Sequence, residues 1–165
     1  ENTIEDLYGG GNAADIGTNL ANTDANIIVE GGRFHRVFGG GKGDNATHVS
    51  ANIYGTAHTH ILGCIIETVF GGGNQQGSVL YTDLIVDNTT SCDMKIASIF
   101  GGSNEAPVTG DLNTTIACSD GAYDNIYGGA NNADITGNVT LNILGSKITN
   151  AFGGSKGSEG KSANI

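Results

Sequence analysis

A six-residue motif that returns six times along the chain constrains its fold more than any other feature. Each copy places an apolar residue, an aromatic residue and Gly-Gly before a small residue and either Asn or Lys. The aromatic residues, at intervals of 30, 32, 30, 27 and 25 residues, are Tyr8, Phe38, Phe70, Phe100, Tyr127 and Phe152. Self-similarity at a period of about 20–50 residues is typical of repeat proteins, whose units bury their apolar faces only by stacking on neighbours. The motif therefore predicts a stacked repeat fold.

The residues before each aromatic ring indicate a strand. The residue four places earlier is always apolar or aromatic, and the two residues between it and the next apolar position are almost always polar. This spacing also fits one helical turn, but Gly-Gly closes every copy, and so short a helix is unstable in water. The earlier apolar positions are Ile4, Phe34, Ile66, Ile96, Tyr123 and Ile148. We therefore predict a short strand that ends at each aromatic residue.

The residues after each ring predict a turn. Gly and Asn tolerate positive φ better than other residues, so we expect the backbone to turn at the glycines. Asn follows in four copies and Lys in two. The asparagines, which could form a hydrogen-bonded ladder between rungs, are Asn12, Asn74, Asn104 and Asn131.

A second apolar pair lies further along each repeat, and this predicts additional strands. The pairs are Ile16 with Leu20, Val49 with Ile53, Val108 with Leu112, and Ile135 with Val139. Alternation of apolar and polar residues over 138–144 and 111–118 supports the same interpretation. We expect about three short strands in each repeat.

Stacked repeats of this kind predict a specific architecture. Strands that recur once per turn pair in parallel about 4.8 Å apart, and crossovers between parallel strands are almost always right-handed. The prediction is an all-β, right-handed parallel β-helix (a β-solenoid) of about six rungs of 25–32 residues, forming one domain over 1–165. The aromatic rows are expected to fill its interior. A leucine-rich repeat is the competing fold, but its L-x-x-L-x-L-x-x-N frame is absent outside 148–155.

Charge and cysteine content exclude several function classes. The net charge of −10, with only seven Lys and Arg residues, disfavours nucleic acid as a partner. No apolar run is long enough to cross a bilayer. The spacing of Cys64, Cys92 and Cys118 matches no metal motif and is close to the repeat period, which favours small buried residues. A Cys92–Cys118 disulfide is left open.

One surface patch has a composition that could support chemistry. Aligning the rungs on the aromatic residue places Glu5, His35 and Glu67 in one column, with Asp6, Arg36 and Thr68 beside it. A His between two carboxylates can act as an acid/base group or as a weak metal site. A solvated strand edge with mixed charges is the alternative. The patch is defined as Glu5, His35, Arg36 and Glu67.

Other candidate motifs are isolated. His58 and His60 are expected to lie in a solvated loop. The segment 39–44 is similar to a calcium-binding G-G-x-G-x-D sequence and occurs once, whereas a calcium array repeats it, which favours a glycine turn. No Ser-His-Asp or Cys-His arrangement can be assigned. The sequence thus predicts no catalytic residues, no cofactor and no metal, which favours a protein without enzymatic activity.

The aromatic-Gly-Gly motif with Asn- and Thr-rich strands resembles repeat regions of large bacterial surface proteins and adhesins with right-handed parallel β-helix folds. The pectate-lyase-like superfamily shares that fold. The resemblance implies a secreted or cell-surface location, a structural or adhesive role, and a host or microbial surface glycan or protein as partner. A carbohydrate-active or glycan-binding β-helix, such as a polysaccharide lyase, a hydrolase or a tailspike-like protein, is the alternative.

Both ends of the sequence fall inside a repeat. It opens with the tail of a rung, and its last four residues, 162–165, repeat the SANI sequence found at 50–53. An independent solenoid needs polar caps at its ends for solubility. We therefore expect the chain to be a fragment of a longer protein that continues into further repeats.

Overall fold

The computed structural model of the protein describes residues 2–87, 94–117, 120–160 and 163–165, and within these ranges the fold is all-β. The described residues form eleven strands: β1 (Ile4–Tyr8), β2 (Ala25–Val29), β3 (Arg33–Phe38), β4 (Ile53–Ile61), β5 (Ile65–Phe70), β6 (Val79–Val86), β7 (Lys95–Phe100), β8 (Leu112–Ile116), β9 (Ala122–Tyr127), β10 (Val139–Ile143) and β11 (Lys147–Phe152). No helix in the described part of the chain is long and apolar enough to cross a membrane.

The strands form two parallel sheets, as expected for a β-solenoid. The first sheet has the order β1-β3-β5-β7-β9-β11, and the second has the order β10-β8-β6-β4-β2. The chain alternates between the sheets, so each turn adds one strand to both. All nine strand pairings within the sheets are parallel. The prediction of an all-β parallel solenoid is confirmed.

The motif sets the register of the first sheet. The ring residues pair directly with one another, as in Tyr8 with Phe38 and Phe38 with Phe70. The solenoid has about four turns, fewer than the six rungs predicted. In the first sheet, the first and last motifs lie on the edge strands β1 and β11, and β3, β5, β7 and β9 have neighbours on both sides.

The prediction of a third strand in each repeat is wrong in detail. That segment contributes only single parallel bridges, which join Ile16 to Ile53 and Val108 to its neighbours on both sides. The expected pairing of Ile16 with Leu20 and of Val49 with Ile53 fails, because Leu20 is 93% exposed and Val49 is 39% exposed. Ile53, not Val49, occupies the column of Ile16, since the longer second repeat inserts a short loop before it.

The main core lies between the two sheets. It contains Val37 and Ile99 from the first sheet, and Ile61, Leu84 and Ile116 from the second. The rings form a separate buried cluster that contains Phe38, Phe70 and Phe100. Successive side chains of a strand point to opposite sides, so Val37 enters the main core while Phe38 turns away from it. The aromatic row is thus a second core beside the main one, not the filling of the solenoid that was expected.

The Gly-Gly pairs have a different role from the one predicted. Positive φ occurs at other glycines, such as Gly43 and Gly77, and not in the Gly-Gly pairs that follow the motif rings. The first glycine of each pair instead continues the parallel ladder, as where the Gly71 N–H donates to the Phe100 carbonyl oxygen (2.9 Å). A methyl group at Gly71 would collide with the Gly101 carbonyl oxygen of the next rung. The motif therefore requires glycine because the rungs approach closely.

The structure describes one of the three cysteines. Cys64 is buried in the main core, as a small apolar residue should be. Cys92 and Cys118, the two residues of the candidate disulfide, lie outside the described residues.

Candidate functional site

The six motif rings form one continuous stack along the solenoid axis. Successive ring centroids are 4.8, 4.8, 5.0, 4.8 and 5.0 Å apart, with interplanar angles of at most 11°. The central rings, Phe38, Phe70 and Phe100, are at most 4% exposed, whereas the terminal Phe152 is 47% exposed. Since the interior rings are inaccessible to solvent, the stack supports the fold and offers no ligand-binding surface along its length.

A chain of side-chain amides runs beside the rings. The Asn131 amide donates to the Asn104 oxygen (2.8 Å), and Asn104 donates to Asn74 (2.9 Å). Asn74, only 3% exposed, donates to the Tyr8 hydroxyl (2.8 Å). Asn12 is exposed and the structure does not bring it into this chain, because Lys42 occupies the intervening rung. Burial raises the pKa of Tyr8, with the Asp6 carboxylate adding to the effect.

The structure brings Glu5, His35 and Glu67 together on the outer face of the first sheet. His35 Nδ1 lies 2.9 Å from Glu67 Oε1, and Nε2 lies 3.6 Å from Glu5 Oε2. The hydrogen bond to Glu67 raises the pKa of His35, and the charges of Glu67 and Glu5 act in the same direction. The three side chains are 41%, 77% and 68% exposed for His35, Glu5 and Glu67, so the arrangement is an open surface ion-pair column.

Arg36, the fourth residue of the patch, is held away from this column. Its guanidinium donates to Asp6 through Nε and Nη2, both at 2.7 Å, and lies 5.5 Å from the Phe38 ring centroid. The bond to Asp6 raises the pKa of Arg36. Arg36 is thus held by Asp6 of the neighbouring rung and covers the Phe38 ring.

The second sheet carries a similar histidine column that the sequence interpretation missed. His58 and His60 lie in β4, not in a loop as predicted. His58 Nδ1 is 3.1 Å from Asp83 Oδ2, and Nε2 is 3.8 Å from Asp24 Oδ2. In the sequence, small or apolar residues alternate with bulkier, mostly polar ones over 53–61, and this alternation is the signal that could have identified the strand.

Two adjoining depressions cross the outer face of the second sheet. One has a volume of about 270 Å³ and includes Asn26 and Ile28, and the other has a volume of about 480 Å³ and includes Tyr81 and Asp111. Both are lined by His58 and Asp83, so they form one groove, here called the second-sheet groove. Its lining includes residues from all five strands of the second sheet.

Tyr81 and Asp111 are exposed groups of this groove. Tyr81 is 43% exposed, and its ring lies across the backbone at Gly110, where a methyl group would collide with it. The Asp111 Oδ1 atom accepts hydrogen bonds from the Asn138 backbone N–H (2.7 Å) and from its side-chain amide (3.1 Å). The two hydrogen bonds from Asn138 hold the Asp111 carboxylate in place.

Within the described ranges, the side-chain geometry does not support a metal site or a calcium site. No group of three or more His, Cys, Asp and Glu side chains there is arranged to hold a metal ion. In the glycine-rich segment 39–44, Asp44 Oδ1 accepts a hydrogen bond from the Ala46 backbone N–H (2.8 Å) and stabilises its own turn. A hydrogen bond with Thr47 and one with Ala46 lower the pKa of Asp44. This geometry matches the alternative of a glycine turn.

Comparison of the chain with protein-family models, curated proteins and solved structures finds no match. Indications of function therefore come from the geometry of the two outer faces.

Proposed function

We propose that this chain is a non-catalytic structural and adhesive β-solenoid module of a secreted or cell-surface bacterial protein. The observation that carries the proposal is the uninterrupted stacking of rungs, which yields two rigid outer faces with side chains in regular columns. Regular columns on a rigid support favour binding of extended partners, because little conformational freedom is lost on association. The partner class is a host or microbial surface glycan or protein.

The charged column of the first sheet supports a binding role more than a catalytic one. His35 and its two carboxylate neighbours are open to solvent. General acid–base catalysis benefits from a site that excludes water and holds the substrate against the acid and the base. The described surface around His35 provides neither, so this column is better suited to a polar contact.

A carbohydrate-active or glycan-binding β-helix is the second candidate, and the second-sheet groove favours its binding form. Tyr81 provides an exposed ring beside the carboxylates Asp83 and Asp111. Aromatic rings with a polar end are common where one side of a ligand is apolar and the other is hydrated. A flat face of Thr and Asn alone would not support this alternative.

Adhesion of immobilised protein to cells tests the proposal. Beads coated with the purified chain are expected to remain on bacterial or epithelial surfaces under flow, whereas albumin-coated beads are washed away. The same preparation should release no reducing ends from a panel of polysaccharides. Absence of adhesion to every surface, or polysaccharide turnover that Glu67→Gln or His35→Ala abolishes, would contradict the proposal.

A further inference from the structure

The basic residues of the strands are confined to one sheet. Arg33, Arg36, Lys95 and Lys147 all lie in strands of the first sheet, and the five strands of the second sheet contain no Lys or Arg. The second-sheet groove is lined by Asp83 and Asp111, and Asp24 lies beside it against His58. The two faces of the solenoid therefore differ in charge, and the groove attracts cations and repels anionic polymers.

The shape of the groove fits an extended ligand. It runs from Asn26 on β2 to Asn142 on β10, across five neighbouring strands. At a strand spacing of about 4.8 Å, this corresponds to roughly 19 Å along the solenoid axis. A polymer of several units can therefore contact equivalent positions on successive rungs.

The chemistry of the groove favours a sugar over a peptide. An extended peptide usually gains affinity by pairing its backbone with the open edge of a sheet, whereas this groove lies on a sheet face and offers side chains. In the part of the groove towards β10 those side chains are hydroxyl, amide, imidazole and carboxylate groups around one exposed ring. The part towards β2 adds the apolar side chains of Ile28 and Ile85. Hydroxyl-rich ligands with an apolar ring face match this combination, and a positive charge on the ligand matches the carboxylates.

We propose that the second-sheet groove binds a glycan that carries amino groups, namely a polymer of amino sugars. This inference rests on the proposed adhesive function and assigns a ligand class to one of its faces. Asp83 and Asp111 contact the ligand ammonium groups, and Tyr81 stacks on the face of a sugar ring. Asp111 is oriented for this contact by its two bonds from Asn138.

Calorimetric titration of the whole chain with three soluble probes tests the assignment. The probes are a β-1,4-linked glucosamine hexamer, its fully N-acetylated counterpart and hexalysine. The glucosamine hexamer should bind, and the N-acetylated hexamer should bind at least about tenfold more weakly, because it lacks the ammonium groups. A double variant, Asp83→Asn with Asp111→Asn, should weaken binding by roughly tenfold, in line with the loss of two exposed ion pairs.

Matched variants separate binding from folding. Asp124→Asn removes one carboxylate from the exposed face of the first sheet and should leave the dissociation constant unchanged. Tyr81→Ser changes an exposed ring and should weaken binding while the circular dichroism spectrum is retained. The inference is wrong if the N-acetylated hexamer or hexalysine binds as tightly as the glucosamine hexamer, if that hexamer does not bind, or if the double variant binds it normally. Bead adhesion that persists in those cases would leave the adhesive function intact and point to another ligand.

Discussion

At the scale of single residues, position within a column decides whether a side chain supports the fold or faces a partner. Phe70 is 4% exposed between two parallel rings, whereas Thr140 on β10 is exposed. Equivalent stacking also produces similar surroundings for two histidines. His35 and His58 each lie between two carboxylates of neighbouring rungs, on opposite faces of the solenoid.

Replacing Phe70 by Ala should destabilise the protein by about 3–5 kcal/mol, as for other buried aromatic residues. The ring is central in the stack, so its loss removes contacts on both sides and leaves a cavity. The control, Thr140→Ala, should change the free energy of unfolding by within roughly 0.5 kcal/mol. Chemical denaturation measures both, and equal effects would show that the assignment of inner and outer side chains is incorrect.

The protonation of His35 should depend on Glu67. Its pKa is raised in the folded state by the bond to Glu67, so the stabilisation is fully present below the ordinary pKa of about 6.5 and is lost as pH rises through the folded-state value. NMR titration of the imidazole should show a lower pKa in Glu67→Gln than in the unaltered chain. A pKa that does not change would mean that the two groups are not in contact in solution.

At the scale of strands and turns, close approach of neighbouring rungs determines which residues are allowed. The sequence predicted strands that end at each ring and a turn after it; the strands do end there, and the Gly-Gly pair that follows forms a bend without positive φ. It could not predict why glycine is needed, because the collision partner of Gly71 is a backbone oxygen about 30 residues away in the chain, and only the stacked structure brings them together. The place of Leu20 and Val49 was misjudged because apolar spacing alone does not show where a repeat has an inserted loop.

Adding a methyl group to a central Gly-Gly pair should be costly. Gly71→Ala places Cβ against the Gly101 carbonyl oxygen, and forcing extra volume into a packed position typically costs about 1–3 kcal/mol. The matched control is Gly153→Ala, the same motif position in the last rung, where no atom lies within 4 Å of the added carbon. Thermal unfolding should show a lower midpoint for Gly71→Ala only. A similar loss in both variants would show that the motif glycines are required for their backbone conformation.

Interrupting the amide chain should also reduce stability. The Asn104 side chain forms hydrogen bonds with neighbours on both sides, so Asn104→Ala removes one hydrogen-bond partner from Asn74 and one from Asn131. An unsatisfied, largely buried polar group costs about 1–3 kcal/mol. Asn12→Ala, at the exposed end of the same motif position, should have little effect on the denaturation midpoint. Equal stability of the two variants would contradict a structural role for the chain of amides.

At the scale of the whole molecule, stability should be greatest where rungs have neighbours on both sides. Each rung contacts only the rungs next to it, so the energy of the fold is close to a sum of nearest-neighbour terms. The edge strands β1 and β11 have a partner on one side only. The sequence predicted the architecture because six motif copies constrain the register, but the second-sheet groove depends on Tyr81 and Asp111, which belong to no motif and are brought together only by stacking.

Hydrogen exchange should follow this gradient. Backbone amides of β5 and β7 are expected to exchange most slowly, and those of β1 and β11 most rapidly, because local opening begins at the ends. Mass spectrometry of peptides from these strands provides the comparison. Uniform protection across all strands would indicate an all-or-none unit, against the nearest-neighbour account.

The stacking of successive repeats is tested most directly by the distances between the motif rings in a crystal structure of the chain. Parallel rings of Phe38, Phe70 and Phe100, with centroids 4.8 Å and 5.0 Å apart in succession, are the predicted result. Rings separated by more than about two strand spacings, or rings that point into solvent, would contradict the account.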